Sequence, residues 1–200
     1  MKRLRELLLV LLLSGCAAVP PTAPPGVDSI TSADRAAISH WQFHGRVSLT
    51  QGEQGWHAGL DWENRADQYR LQVSGPLGQG ALLLTGDEYV VTLVDGEGRI
   101  YTAQDAEGLL QQVAGWQLPV AGLRYWVRGL PAPLAPVEAT HDAQGRLQQL
   151  VQSGWTITYQ RYQDVDGSAW PAKMRLERDE LVVRLVIDQW QLEQPGAPSL

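Results

Sequence analysis

Cysteine is almost absent from this sequence, and the common motifs of covalent and nucleotide-driven chemistry are missing. A single cysteine, Cys16, among 200 residues excludes an internal disulfide framework and a multi-cysteine zinc site. The sequence contains no G-x-S-x-G nucleophile elbow and no G-x-x-x-x-G-K-[ST] phosphate loop. We therefore expect that the protein is not an enzyme, binds no cofactor and does no nucleotide-driven work.

Positive charge is also scarce, with 16 basic against 22 acidic residues and a net charge of −6. A nucleic acid would meet no strongly basic surface, so we expect no nucleic-acid partner. His40 and His44 lie four residues apart, but Trp41 stands where a metalloprotease motif has Glu and no third ligand follows, so we expect no metal site. Phe occurs once, whereas Trp occurs 8 times and Tyr 6 times, which favours broad apolar surfaces with a polar group at one edge.

The first 15 residues predict a lipoprotein signal peptide. Lys2, Arg3 and Arg5 precede an apolar run, Leu7 to Leu13, that is much shorter than the roughly 20 residues of a membrane-spanning helix. The run ends in Leu13-Ser14-Gly15-Cys16, which resembles the lipobox of bacterial lipoproteins. This resemblance implies that residues 1–15 are removed and that Cys16 is acylated. The alternative is an ordinary signal peptide with a cysteine at its boundary by chance.

The mature chain is expected to be an acidic domain on a lipid tether. Residues 1–15 hold three basic residues and one acidic residue, so their removal changes the counts from 16 and 22 to 13 and 21, a net charge of −8. The lipoprotein resemblance implies three acyl chains at Cys16, which exceed the two signals needed for stable anchoring. By analogy with lipoprotein sorting, Ala17 after the cysteine implies the outer membrane, with the domain facing the periplasm. Residues 16–30 form the acylated N-terminus and a proline-rich linker, which we expect to be extended.

Residues 31–200 predict one domain, mainly β with short helices. Apolar and polar residues alternate within 47–50, 56–63, 69–74, 155–160 and 174–177, as in half-buried strands. Three more continuously apolar segments predict central strands: Ala81–Thr85, Tyr89–Leu93 and Leu181–Ile187. Turn residues between neighbouring segments favour antiparallel hairpins. About ten or eleven antiparallel strands are expected to curve around an interior.

Three short helices are also expected. Thr31 or Ser32 can cap a helix that runs to about Trp41. Asp105 to Gly115 starts with an acidic cap and carries apolar residues three and four positions apart, and Ala121 to Gly129 places Leu123, Trp126 and Val127 on one face.

One turn carries an unusual residue. Gly75-Pro76-Leu77-Gly78 joins two predicted strands, and Leu77 stands at its tip, where Asn, Asp or Ser would be typical. On a tethered domain an exposed Leu at a protruding turn is a candidate for insertion into lipid. The alternative is that Leu77 folds back onto the core.

An ordered set of segments resembles the LolB family of outer-membrane lipoprotein receptors. The set contains Tyr69-Arg70-Leu71 before Pro76-Leu77-Gly78, Tyr101-Thr102-Ala103 before Asp105-Ala106-Glu107, Leu123-Arg124 and Trp126 before Gly129-Leu130-Pro131, and Pro171-Ala172 before a strand ending at Trp190. The resemblance implies an incomplete, open antiparallel β-barrel with a helical lid over an apolar cavity. It also implies a protein that accepts lipoproteins from the periplasmic carrier LolA and inserts them into the outer membrane, with Pro76, Leu77 and Gly78 as the membrane-insertion loop.

Under this resemblance, the expected partners are the carrier LolA, lipoprotein acyl chains and outer-membrane lipid. The acyl-chain cavity is expected to be lined by inward-facing apolar residues. The candidates are Val47, Leu49, Trp56, Leu60, Trp62, Leu71, Val73, Leu82, Leu84, Trp126, Trp155, Ile157 and Met174. The alternative for each is that it packs the core, because periodicity does not reveal whether an interior is empty. The rival function is a structural or assembly lipoprotein of the envelope that binds a protein without lipid. In either case we expect a monomer.

Overall fold

The computed structural model describes residues 32–75, 81–133 and 135–193. The predicted signal peptide, Cys16, the linker up to residue 30 and the loop residues Pro76, Leu77 and Gly78 lie outside the described residues.

The described strands form one antiparallel sheet that is not closed. Its order is β6-β5-β4-β3-β2-β1-β11-β10-β9-β8-β7, so that β6 and β7 are its two edges. The strands are β1 His40–Gln51, β2 Gln54–Arg65, β3 Gln68–Ser74, β4 Leu82–Gly86, β5 Val91–Val94, β6 Ile100–Ala103, β7 Val137–His141, β8 Leu147–Gln152, β9 Trp155–Val165, β10 Ser168–Arg178 and β11 Leu181–Glu193. This arrangement confirms the prediction of a mainly β, open antiparallel barrel.

The first and last strands meet at the middle of the sheet, because β1 pairs with both β2 and β11. Their register shifts between His44 and Gly45, where a β-bulge brings two backbones close together. A Cβ atom on Gly45 would lie 2.3 Å from the carbonyl oxygen of Val186. Only glycine fits this position without a shift of the strand.

Three short helices accompany the sheet: α1 Ser32–Ala37, α2 Ala106–Ala114 and α3 Val120–Trp126. The carboxylate of Asp105 caps α2 by accepting a hydrogen bond from the backbone N–H of Gly108, as the sequence predicts. Gly115 ends α2 in the left-handed conformation, with φ of 75°.

The predicted end of the first helix is wrong. Helix α1 ends at Ala37, whereas the sequence predicts an end near Trp41. Strand β1 begins at His40, which pairs with Arg65 and Glu193, and the Trp41 ring is buried in the core. Pairing on both sides of β1 overrides the weak local preference for helix.

Two of the three predicted central strands are also misplaced. Only Leu181–Ile187 lies in a central strand, whereas β4 and β5 lie close to the β6 edge. Tyr89 and Val90 precede β5 and are 79% and 44% exposed. The carboxylate of Asp87 accepts hydrogen bonds from the backbone N–H groups of both residues and holds them in a turn.

One face of the sheet carries the hydrophobic core, and we call it the inner face. Its buried residues form a single cluster with residues of α2 and α3, including Leu109, Leu110, Leu123 and Trp126. In sequence, these helices lie between the two edge strands, β6 and β7. They therefore cover the inner face where the sheet is open.

Candidate functional site

The structure places all thirteen predicted cavity residues in or against one hydrophobic cluster. Eleven of them are buried members of the cluster, and Trp56 and Leu82 are partly buried and pack against it. Cross-strand pairs explain this convergence, since Leu49 pairs with Trp56, Trp62 with Leu71, and Leu71 with Leu84. That these residues bind acyl chains stays a prediction.

The cluster is closed where α3 meets β9 and β10. Trp126, Trp155, Ile157 and Met174 are at most 1% exposed, and the Trp126 and Trp155 rings lie 6.4 Å apart. In this structure their side chains fill the space between helix and sheet. A ligand that enters the space between α3 and the sheet would have to displace these side chains.

A pocket opens at the other side of the helical cover. It has a volume of about 530 Å³ and lies between the β1–β2 hairpin and the end of α2, within the range of about 300 to 1,000 Å³ typical of ligand pockets. Its lining residues are Leu49, Gln51, Gln54, Gly55, Trp56, Ala114, Gly115 and Trp116. We call it the hairpin pocket; it contains two of the predicted cavity residues, Leu49 and Trp56.

Trp116 is a pocket residue that the sequence analysis missed. Its ring lies 4.5 Å from the Trp56 ring at an interplanar angle of 49°, which is a favourable tilted contact. The sequence signal was its position directly after Gly115, the left-handed residue that ends α2. The backbone N–H of Trp116 donates to the carbonyl of Leu110, which directs the chain from α2 back towards β2.

The connection between α2 and α3 is attached to the sheet on its other side by Arg178. The guanidinium of this β10 residue donates to the side-chain oxygen of Gln117 at 3.1 Å and lies 3.8 Å from the carboxylate of Glu107. It also lies over the Trp155 ring, 4.7 Å from the centroid.

The indole N–H groups of the predicted cavity residues have different surroundings. Trp126 donates to the side-chain oxygen of Gln152 at 2.8 Å, as expected for a buried indole. Among the described residues, the N–H groups of Trp62 and Trp155 have no hydrogen-bond partner.

Two arginines that the sequence analysis missed lie at the junction of α1 and the end of α3: Arg35 is half-buried and Arg128 is buried. Arg128 donates to the backbone carbonyls of Arg35, Ile38 and Arg124, and its guanidinium lies over the Trp41 and Tyr125 rings. Desolvation lowers the pKa of Arg128 to about 10, and the neighbouring charges of Arg124 and Arg35 act in the same direction.

The two histidines considered as metal ligands each contact one carboxylate. The Nδ1 atom of His40 lies 3.2 Å from Glu193, and that of His44 lies 2.7 Å from Asp61. In residues 32–75, 81–133 and 135–193, no group of three or more His, Cys, Asp and Glu side chains is placed to hold a metal ion.

The end of β3 and the start of β4 lie towards the same end of the sheet as the hairpin pocket. Strand β3 runs antiparallel to β2 and ends at Ser74, opposite Gly59, on the way back towards the β1–β2 hairpin. Strand β4 begins at Leu82, which pairs with Val73, so the start of β4 lies beside the end of β3. The start of β1, which follows α1, lies at the opposite end.

Comparison with known proteins gives the family. A family model described as "Outer membrane lipoprotein LolB" matches residues 39–190. The chain belongs to the LolB family. Outer-membrane lipoprotein LolB of Chromohalobacter salexigens is 42% identical over 190 residues, which are 93% of this chain and 88% of that protein. LolB of Pseudomonas aeruginosa is 40% identical over 194 residues, 92% of this chain and 93% of the relative.

Solved structures support the fold of this LolB family member. A LolA superfamily protein from Nitrosomonas europaea aligns with a TM-score of 0.50 at 6% identity, over 80% of this chain and 88% of the other. A DUF1329 family protein from Desulfovibrio piger gives a TM-score of 0.51 at 6% identity, over 83% and 92%. Within the part of the chain that the structure describes, none of the helices is long and apolar enough to cross a membrane.

Proposed function

We propose that this protein is a receptor anchored in the outer membrane that accepts lipoproteins from the carrier LolA, shelters their acyl chains and inserts them into the membrane. Membership of the LolB family supports the role, and the observation that carries it for this chain is the inner-face cluster. Among the described residues, it is a large apolar cluster between the sheet and the two short helices α2 and α3, and a pocket borders it. A reversible apolar guest needs such a surface.

The physical need for such a protein follows from the cost of exposing acyl chains to water. Each buried CH₂ group contributes about 0.8 kcal/mol, so one acyl chain represents on the order of 10 kcal/mol. A lipoprotein therefore does not cross an aqueous compartment without a carrier. Transfer without a nucleotide is downhill if the receptor binds acyl chains more strongly than the carrier and less strongly than the bilayer.

The positions of the hairpin pocket and of α1 at opposite ends of the sheet support delivery to the membrane. The hairpin pocket, the end of β3 at Ser74 and the start of β4 at Leu82 lie towards one end of the sheet, and α1 precedes β1 at the other end. Residues 17–31 can span about 50 Å when extended, and the 12 residues of β1 span about 40 Å. A tether fixed at Cys16 thus allows the pocket end to turn towards the lipid.

Uptake of a fluorescent fatty acid tests acyl-chain binding. The mature chain with Cys16→Ala removes the lipid anchor and keeps every described residue. We expect saturable binding that excess palmitate displaces. A structural or assembly lipoprotein predicts no uptake, and that result would reject the acyl-chain receptor.

The role of Leu77 is tested separately, in transfer from loaded LolA to phospholipid vesicles. We propose that Leu77 enters the lipid, so Leu77→Glu should abolish insertion while fatty-acid binding is kept, because a carboxylate at the tip opposes entry into hydrocarbon. Leu77→Met keeps an apolar side chain and should retain insertion. Unchanged insertion by Leu77→Glu would exclude this role and leave acyl-chain binding untouched.

A further inference from the structure

We propose that an acyl chain reaches the inner face through the hairpin pocket and that the Trp116 ring is the movable cover of this route. This inference rests on the proposed function and adds a route and a residue to it. Where α3 meets the sheet the interior is closed, since Trp126, Trp155 and Met174 are at most 1% exposed. The hairpin pocket, by contrast, is a space of about 530 Å³ against the same cluster.

The lining of the hairpin pocket is mixed, with apolar side chains for a hydrocarbon chain and neutral polar groups for its ester end. Leu49, Trp56 and Ala114 supply apolar surface beside the Trp116 ring, Gln51 and Gln54 supply neutral polar groups, and no charged side chain occurs among its described lining residues. An acyl chain would lose no ion pair on entering, and its polar ester end can stay with the glutamines. Leu49 and Trp56 lead from the pocket into the core cluster.

Of the two rings in this tilted contact, Trp116 is the one that can move. Trp56 belongs to β2 and is held by backbone pairing of that strand with β1. Trp116 lies in the short connection between α2 and α3 and follows Gly115, whose left-handed backbone can act as a pivot. Arg178 attaches the far side of this connection at Gln117. Opening therefore separates Trp116 from Trp56 while the Arg178 contacts remain.

Stopped-flow kinetics of fatty-acid binding test the cover. In the mature chain with Cys16→Ala, Trp116→Ala should raise the association and dissociation rate constants together, each by about threefold to tenfold, because opening no longer breaks a ring pair. The equilibrium dissociation constant should change by less than about twofold. Trp116→Phe retains a ring and should restore most of the wild-type rates. Tyr89→Ala removes an exposed ring from the β4–β5 turn and is the matched control.

The outcomes separate this inference from the proposed function. If the Trp116 ring only lines the bound chain, Trp116→Ala should dissociate faster with an unchanged association rate constant. That result would reject the role of Trp116 as a movable cover. Cross-linking with a diazirine fatty acid supplies a second readout, with adducts expected in residues 49–56 and 114–116. Adducts confined to other segments would reject the route while acyl-chain binding stands. Absence of any fatty-acid binding by the wild-type chain would instead refute the proposed function itself.

Discussion

Arg35 and Arg128 each donate a hydrogen bond to the backbone carbonyl of the other, at 3.1 Å and 3.3 Å. Two like charges are thus held side by side through main-chain acceptors. The guanidinium of Arg35 lies 5.7 Å from the centroid of Trp170, and that of Arg128 lies 5.8 Å from the centroid of Trp41. These two reciprocal hydrogen bonds join α1, which follows the tether in sequence, to the residues that follow α3.

Removal of the Arg128 side chain should destabilise the protein and loosen α1. Arg128→Ala leaves the buried carbonyls of Arg35 and Ile38 without their donor, and we expect a loss of about 2 to 3 kcal/mol in the free energy of unfolding. Urea unfolding measures it. Arg70→Ala is the control, because Arg70 is exposed and makes one long hydrogen bond to Gln72. Equal losses in the free energy of unfolding for the two variants would show that the hydrogen bonds of Arg128 contribute little to stability.

The sequence predicted the strands that alternate strictly, because burial of one face imposes a period of two on residues such as Leu60, Trp62 and Leu71. It did not predict that β4 and β5 lie near an edge, since a run of apolar residues such as Ala81–Thr85 describes burial and not the position of a strand in the sheet. The order of strands depends on pairing between distant residues, which local patterns do not encode.

The candidate site, like the fold, was predicted only in part from the sequence. Inward-facing residues of the strands could be identified because their side is fixed by alternation. Trp116 and Gln152 were missed because each acts through a partner on a distant element, Trp56 and Trp126 respectively. A period-based analysis identifies the inner face, but the packing between the helices and the sheet decides which part of it is filled.

The β-bulge at Gly45 should tolerate no larger residue. Gly45→Ala places a methyl group 2.3 Å from the carbonyl oxygen of Val186 in the centre of the sheet, and we expect a loss of about 2 to 3 kcal/mol. Gly59→Ala, in the neighbouring strand β2, is the matched control. Its Cβ atom would lie 3.6 Å from the carbonyl oxygen of Ser74, an ordinary contact. Similar melting temperatures for both variants would show that the two backbones can separate at the bulge.

Alkaline pH should destabilise the folded protein through its buried tyrosines. Desolvation raises the pKa of Tyr69 to about 12, and it also raises the pKa values of Tyr159 and Tyr162. An unfolded chain ionises its tyrosines near pH 10. Between about pH 10 and 12 the unfolded state therefore binds fewer protons than the folded state, and stability falls as the pH rises. Arg128 acts in the opposite direction, because its lowered pKa makes the folded state release this proton first.

In Tyr69→Phe, the free energy of unfolding should fall less steeply with rising pH. It removes one of the three phenols whose pKa is raised, so the slope of unfolding free energy against pH should fall in magnitude by at most about 1.4 kcal/mol per pH unit. Urea unfolding at pH 8, 9, 10 and 11 measures the slope. Equal slopes of the two proteins from pH 8 to 9 serve as an internal control. If Tyr69→Phe keeps the wild-type slope above pH 10, the phenol of Tyr69 ionises as readily in the folded state as in the unfolded one.

Gln152 should hold the helical cover on the sheet. Its side-chain oxygen accepts hydrogen bonds from the Trp126 indole and from the backbone N–H of Ala132, both at 2.8 Å, and its amide donates to the carbonyl of Ala132 at 2.9 Å. Gln152→Leu keeps a side chain of similar size but leaves these buried groups unpaired, and we expect a loss of about 3 kcal/mol. Hydrogen exchange should quicken first in α3.

The control for Gln152 is the same substitution three residues earlier in β8. Gln149 is exposed, so Gln149→Leu should change the free energy of unfolding by less than about 0.5 kcal/mol. Faster exchange in α3 of Gln152→Leu alone would assign the effect to the cover, because both variants add the same apolar side chain to one strand. If α3 keeps wild-type protection in Gln152→Leu, the helix is held by the packing of Leu123 and Trp126, and the hydrogen bonds of Gln152 contribute little.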